Sequence, residues 1–200
     1  MCEATAMMVA MTSTRTADLE TDRLRLDPLR RSDATEMVRV LGSPELYRYT
    51  GGAPPTLAEL ERRYAIQTVG STSPDEVWHN WIVRRRPGGA IGFVQATVTG
   101  EVGAVAWLIG IEAQGAGYAR EAATAMIEWL ASAGVRELRA HIHPDHVASR
   151  RVAETLGFVH SGLQDDDGED VWILNAPQPS GNVGTASNAE QRSTGSESWA

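Results

Sequence analysis

The sequence predicts an α/β protein: one mixed sheet with helices packed on its faces. Three observations carry that expectation. Three strand-like runs follow one another at 77–84, 90–99 and 103–111, divided by P-G-G and T-G-E turns. Directly after them the apolar period changes from two to about 3.6, through a glycine-rich turn with no intervening linker. Shorter strand and helix patterns flank this centre, giving an expected order of β α α β β β α β α β β over a domain spanning 18–175.

Leu24 and Leu26 alternate with charged residues in R-L-R-L-D-P-L, a half-buried strand that Pro28 ends. A helix follows, since Asp33 and Glu36 have capping-box spacing, Ala34, Met37, Val38 and Leu41 share one face, and Gly42 supplies a stop. Thr56 and Glu59 repeat the box ahead of a second helix with Leu57, Leu60 and Tyr64 on its apolar side. The three central runs read as an antiparallel meander, with Trp78, Trp81 and Trp107 as core and Arg84 to Arg86 as a solvated hairpin tip. From Tyr118 the stripe Ala119, Ala122, Ala123, Met126, Ile127 and Leu130 marks a third helix that stops at Gly134. A strand at 137–143, a helix from about 147 to 156 ending at Gly157, and closing strands at 158–162 and 171–174 complete the pattern.

A chain of 200 residues fits one domain with a core of its own. Its net charge of -8 disfavours nucleic acid, whose binders present a basic face, and suits a cationic partner. All 18 basic residues are arginine, which excludes acetylation of the protein's own lysine side chains. The lone cysteine, Cys2, has no disulfide partner and makes no zinc site, so a reducing cytoplasm is the expected location. No stretch reaches the roughly 20 apolar residues that a membrane span needs, and no membrane association is expected. Residues 1–17 and 176–200 are polar and aperiodic and are expected to be a disordered leader and tail.

The most informative segment is W-L-I-G-I-E-A-Q-G-A-G-Y-A-R-E-A at 107–122, which passes from a strand through glycines into an amphipathic helix. Small residues at Gly115, Ala116, Gly117 and Ala119 let the backbone approach an anion, while the helix start supplies free amides and positive dipole. A tight turn with no ligand is the plain alternative for two glycines alone. The segment is no G-x-x-x-x-G-K-[ST] loop, and Arg120 stands where a dinucleotide fingerprint needs its third glycine.

The string Gln114, Gly115, Ala116, Gly117, Tyr118, Ala119 resembles the acyl-CoA signature [RQ]-x-x-G-x-[GA] of the GNAT acetyltransferase superfamily. The blocks E-T-D-R-L-R-L-D-P-L-R-R-S-D-A, W-L-I-G, G-Y-A-R-E-A and A-S-R-R-V-A-E-T-L-G-F, in that order, resemble the branch containing ribosomal-protein N-terminal acetyltransferases. The resemblance implies acetyl-CoA as cosubstrate and a primary amine, of a peptide N-terminus or a small molecule, as acceptor. It implies a pantetheine arm lying along Leu108, Ile109, Gly110 and Ile111 in a gap between two strands, and a pyrophosphate on the amides of Gly115 to Ala119. A backbone N–H near Ile109 or Gly110 is then the implied oxyanion donor.

The same resemblance places Ala153 where many relatives carry a tyrosine as acid to the leaving thiolate. Ser149, matching the serine of an N-x-x-S pattern, becomes the candidate acid, with capping or packing the helix start as its structural alternative. His146 stands at the asparagine of that pattern and is expected to hydrogen-bond the cosubstrate or backbone. The string H-I-H-P-D-H at 141–146 lacks metal-ligand spacing, and no metal is expected. Asp165 and Asp166, in the D-D-D-G-E-D loop on the implied acceptor side, are candidates for the base, against a merely solvated turn. Glu121 is assigned to the helix dipole and packing. A noncatalytic acyl-CoA-binding or sensing protein of the same fold is the alternative to an enzyme, and no signature marks the acceptor or the oligomeric state.

Overall fold

The structure, a computed structural model, describes residues 15–176; residues 1–14 and 177–200, most of the expected leader and tail, lie outside the described residues. Eight strands and four helices follow in order: β1 (Leu19–Glu20), β2 (Leu24–Pro28), α1 (Ala34–Val40), α2 (Leu57–Val69), β3 (Glu76–Arg85), β4 (Ala90–Thr99), β5 (Val102–Ile109), α3 (Tyr118–Ser132), β6 (Glu137–Ile142), α4 (Val147–Leu156), β7 (Val159–Gln164) and β8 (Asp170–Asn175). The expected order holds from β2 onward, and the two-residue β1 is added in front, where two residues are too few to leave a periodic signal. All strands join one sheet in the order β1-β2-β3-β4-β5-β6-β8-β7. Every neighbouring pair is antiparallel except β5 with β6, which are parallel because α3 crosses between them.

Strand alternation sorts side chains onto two faces. On one face Leu24, Leu26, Trp81, Val94 and Leu138 pack under α3 and α4, joined by Met126, Leu130, Ala153 and Phe158. On the other, Ile82, Phe93 and Leu108 meet Met37 of α1 and Leu60 and Tyr64 of α2. The Thr56–Glu59 box forms as expected: Thr56 Oγ1 accepts from the Glu59 amide at 3.3 Å and Glu59 Oε2 accepts from the Thr56 amide at 2.8 Å. Such a cap contributes about 1 kcal/mol to its helix.

The expected Asp33–Glu36 box does not form, and Arg84 is no solvated tip. Asp33 instead accepts from the Arg30 amide at 2.7 Å, closing a 3-10 turn at Arg31–Asp33 ahead of α1, and Glu36 accepts from the Ala90 amide at 2.6 Å. Both carboxylates then converge on Arg84, which donates Nη2 to Asp33 at 2.8 Å, Nη1 to Glu36 and Nε to Asp27 at 2.9 Å. The Arg84 side chain is only 15% exposed, so water screens these charges weakly. Burial would raise the Glu36 carboxyl, but the Arg84 and Ala90 hydrogen bonds outweigh it and hold the group below its ordinary range. The cluster fastens α1 across β2, β3 and β4, and so fixes where the loop after α1 departs.

Two residues ahead of β1 are tied to the sheet. Ala17 C=O accepts from Trp81 Nε1 at 2.7 Å, and Thr16 Oγ1 lies 3.0 Å from His79 Nδ1. His79 is buried, with Trp129 of α3 edge-on at 4.8 Å between ring centroids. Burial disfavours the imidazolium and drops its pKa from 6.5 to about 4. Between those values the unfolded chain binds the proton and the folded one does not, so stability present above pH 6.5 is lost as pH falls toward about 4. The expected loss approaches 3 kcal/mol, at about 1.4 kcal/mol per unit of pKa. Chemical denaturation at pH 7 and 4.5 should show a smaller acid loss for His79→Gln than for the unaltered chain; equal losses would assign the acid sensitivity to other groups.

Candidate active site

β5 and β6 pair at three positions only, Val102 with Glu137, Gly103 with Leu138 and Ala104 with Arg139. Gly103 permits the close approach, since a Cβ there would lie 3.0 Å from Leu138 Cδ2. Beyond Ala104 the two strands part, while β5 stays paired with β4 to the end and β6 with β8. A gap therefore opens in the middle of the sheet. On the α3/α4 face Trp107 of β5 meets Phe158 edge-on at 6.2 Å.

The register decides which backbone groups face this gap. The Gly110 amide donates to Ile91 C=O at 2.8 Å, so Gly92 and Ile109 form a pair whose own amides and carbonyls point away from each other. The same holds two residues earlier at Trp107, opposite Val94. Trp107 and Ile109 thus turn their polar groups toward the gap, and those of Leu108 are spent on β4. Of the two donors expected from the sequence, Gly110 is occupied and Ile109 is open among the described residues. Ile111 lies beyond the strand in a 3-10 turn, Ile111–Ala113, and Gln114 Nε2 donates back to Ile109 C=O at 2.8 Å, which ties the glycine loop to the strand end.

Gly115 and Gly117 have φ of 78° and 80°, a left-handed backbone that glycine adopts without strain. Gly117 is the N-cap of α3, and the first intrahelical bond is Glu121 amide to Gly117 C=O. The amides of Tyr118, Ala119 and Arg120 are left without intrahelical acceptors, as at any helix start. The loop is held from outside. Arg23 Nη1 donates to Ala116 C=O at 3.0 Å, its Nε to Glu121 Oε2 at 2.7 Å, and its guanidinium lies 4.7 Å from the centre of the Tyr118 ring. Thr21 Oγ1 donates to Glu121 Oε1 at 2.5 Å. Burial would raise the Glu121 carboxyl, but Thr21 and Arg23 outweigh it and keep it ionised. Glu121 is thus a packing clamp with charge, and Arg23, Arg120 and Arg151 line an open groove between α3 and α4 beside the free amides. Sequence reasoning missed Arg23, although it sits inside the E-T-D-R block.

At the start of α4 the cap is the His146 ring, whose Nδ1 accepts from the Ser149 amide at 3.5 Å. The Ser149 hydroxyl makes no hydrogen bond among the described residues, so the capping alternative for that side chain does not hold. Burial, aided by the charge of His143, lowers the His146 pKa and keeps the ring neutral, as an acceptor must be. Tyr49, from the loop between α1 and α2, stacks on His146 at 4.5 Å and lies 5.5 Å from His143. Ala153 is fully buried.

On the α1/α2 face the loop between β7 and β8 brings Asp165 Oδ2 to 2.6 Å from His141 Nδ1, and Asp165 Oδ1 accepts from the amides of Asp167 and Glu169 at 3.0 and 2.9 Å. Asp166 is exposed. The structure therefore brings Ile109, Gln114 to Ala119 and the start of α4 together around the gap, sets Asp165 beside it on the opposite face, and leaves Asp166 in solvent.

The family model described as acetyltransferase (GNAT) domain matches residues 23–159. No curated protein sequence matches the chain. Among solved structures, a protein described as a ribosomal-protein-serine acetyltransferase from Vibrio cholerae superimposes with a TM-score of 0.66 at 20% identity, covering 82% of this chain and 99% of that one. An aminoglycoside acetyltransferase in complex with coenzyme A gives 0.64 at 19% identity, with 76% and 94% covered. A spermidine N-acetyltransferase from Vibrio cholerae, in complex with CoA and spermine, gives 0.62 at 18%, with 78% and 97% covered. These likenesses are of fold; the family match covers most of the chain, and the protein belongs to the GNAT acetyltransferase family.

Proposed function

We propose that this protein moves an acetyl group from acetyl-CoA to a primary amine, of a peptide N-terminus or a small molecule, by direct attack through a tetrahedral intermediate. The observation that carries the reading is the gap between β5 and β6, which runs into a glycine loop with free amides at the start of α3. A strand with unspent polar groups suits an extended amide-bearing arm, and the Tyr118 to Arg120 amides with Arg23, Arg120 and Arg151 suit phosphates. Structural relatives described as acting on an aminoglycoside or on spermidine support an amine acceptor.

In this reading the open Ile109 amide faces the thioester carbonyl and stabilises the oxyanion, and Ser149 donates a proton to the departing thiolate. A coenzyme thiol has a pKa near that of cysteine, about 8.5, so the acid need supply little. The acceptor enters from the α1/α2 face, past Tyr49 and the Asp165–Asp166 loop, where negative charge favours a cation. We assign the work to one domain over 18–175, extended by the contacts of Thr16 and Ala17, in a reducing cytoplasm that suits the single cysteine.

A thiol-release assay with acetyl-CoA and a panel of peptides and small amines tests the reading; no release with any acceptor would favour a binding or sensing protein. Gly117→Glu should weaken acetyl-CoA binding by about 100-fold in calorimetry, through repulsion of phosphate, whereas Gly117→Asn, which tolerates the left-handed backbone, should retain most of the affinity. Ser149→Ala should lower kcat by about 10- to 100-fold. Because the His146 ring caps α4, the same substitution should spare the roughly 1 kcal/mol that loss of a cap would cost. A full-rate Ser149→Ala enzyme would leave water as the acid.

A further inference from the structure

An attacking amine must give up a proton, and Asp165 is badly placed to take it. Its carboxylate already accepts three hydrogen bonds, from His141 and from the amides of Asp167 and Glu169. The His141 bond first, then the backbone bonds, hold its carboxyl below the ordinary range, which makes it a poor base. It stays ionised and can only accept, so the proton between the two groups belongs to His141 Nδ1. In the neutral ring, Nε2 of His141 then carries the lone pair, and among the described residues it has no partner.

The neighbouring histidines are set the other way. His143 Nδ1 accepts from the Asp145 amide at 3.1 Å and His146 Nδ1 accepts from the Ser149 amide at 3.5 Å, so in the neutral ring each places its proton on Nε2. Arg139, on the same face of β6, is paired with Glu137 at 2.6 Å. Glu169 and Asp167 are further carboxylates near the pair, and Glu169 is raised by burial and by the charge of Asp165. His141 is thus the one histidine of the three that offers an oriented lone pair. It lies on the stretch of β6 that β5 has left, on the α1/α2 face, with its side chain 37% exposed and open to an incoming molecule.

We propose that His141 is the catalytic base of the acetyl transfer put forward above, accepting the amine proton at Nε2, and that Asp165 is its positioning residue. The neutral amine attacks the thioester carbonyl and a C–N bond forms. Its surplus proton passes to Nε2, and the C–S bond breaks with the electron pair leaving on sulfur. The thiolate takes a proton from Ser149, which water replaces, and the imidazolium returns its proton to solvent. The products are the acetylated amine and free coenzyme thiol.

The experiment compares variants of the full chain by thiol release and by product mass, with acetyl-CoA and whichever panel amine the unaltered chain acetylates. His141→Gln should lower kcat about 100-fold or more, with the KM for acetyl-CoA and the Tm little changed. Asp165→Asn keeps an oxygen for the Asp167 and Glu169 amides but sets an NH2 group against Nδ1, which reverses the ring's tautomer. It should lower kcat by at least about 10-fold, and the double variant should be no slower than His141→Gln alone. Added imidazole should restore part of the acetylated product to His141→Gly. A merely structural tie between loop and strand would lower Tm in both variants and spare kcat, which would overturn the assignment. An active chain whose His141→Gln variant is equally active removes His141 while acetyl transfer stands; a chain that acetylates no amine removes both.

Discussion

The site depends on a ladder that stops. Three pairings join β5 to β6, and past Ala104 the backbone groups of β5 on that side find no strand. Unpaired strand polar groups inside a sheet are costly unless something satisfies them, so the gap calls for an occupant with alternating donors and acceptors of its own. It can exist because both of its edges are secured elsewhere, β5 by an uninterrupted ladder to β4 and β6 by six pairings with β8. The sheet is rigid on either side of its own interruption.

Two charged clusters extend that rigidity to the parts that must meet at the gap. Arg84 gathers Asp27, Asp33 and Glu36 and fixes α1 on one face; Arg23 and Thr21 gather Glu121 and the Ala116 carbonyl and fix the glycine loop on the other. The first is largely shielded from water and acts as a structural rivet. The second is half-exposed at Arg23 and is weaker as a fastening, yet it leaves a positive charge beside free amides. The same residue type is a shielded rivet in one place and a half-exposed neighbour of free amides in the other because burial differs.

Local signals in the sequence carried most of the element boundaries. The Thr56–Glu59 cap, the stop at Gly157 and the period change at Tyr118 each lie within a few residues of what they determine. What escaped depends on which distant segments the sheet brings side by side. Asp33 and Glu36 have the spacing of a cap, but Arg84, some fifty residues away, supplies a stronger partner for both. His141 and Asp165 are 24 residues apart, and only the β6–β8 register shows that the loop returns over that histidine. The glycine turn into α3 was legible; which of the Ile109 and Gly110 amides stays unspent needed the β4–β5 register.

Tyr49 rests on the His146 ring, and that ring caps the helix carrying Ser149. In the proposed transfer, the loop that borders the acceptor entrance and the helix that borders the thioester therefore share one imidazole. A molecule that lifts Tyr49 weakens the support of the cap, and a molecule that firms the cap holds Tyr49 down. Such a linkage is reciprocal and of equal size in both directions, so each of two substrates arriving from opposite faces of the sheet would sense, through one stacked ring, whether the other is already there.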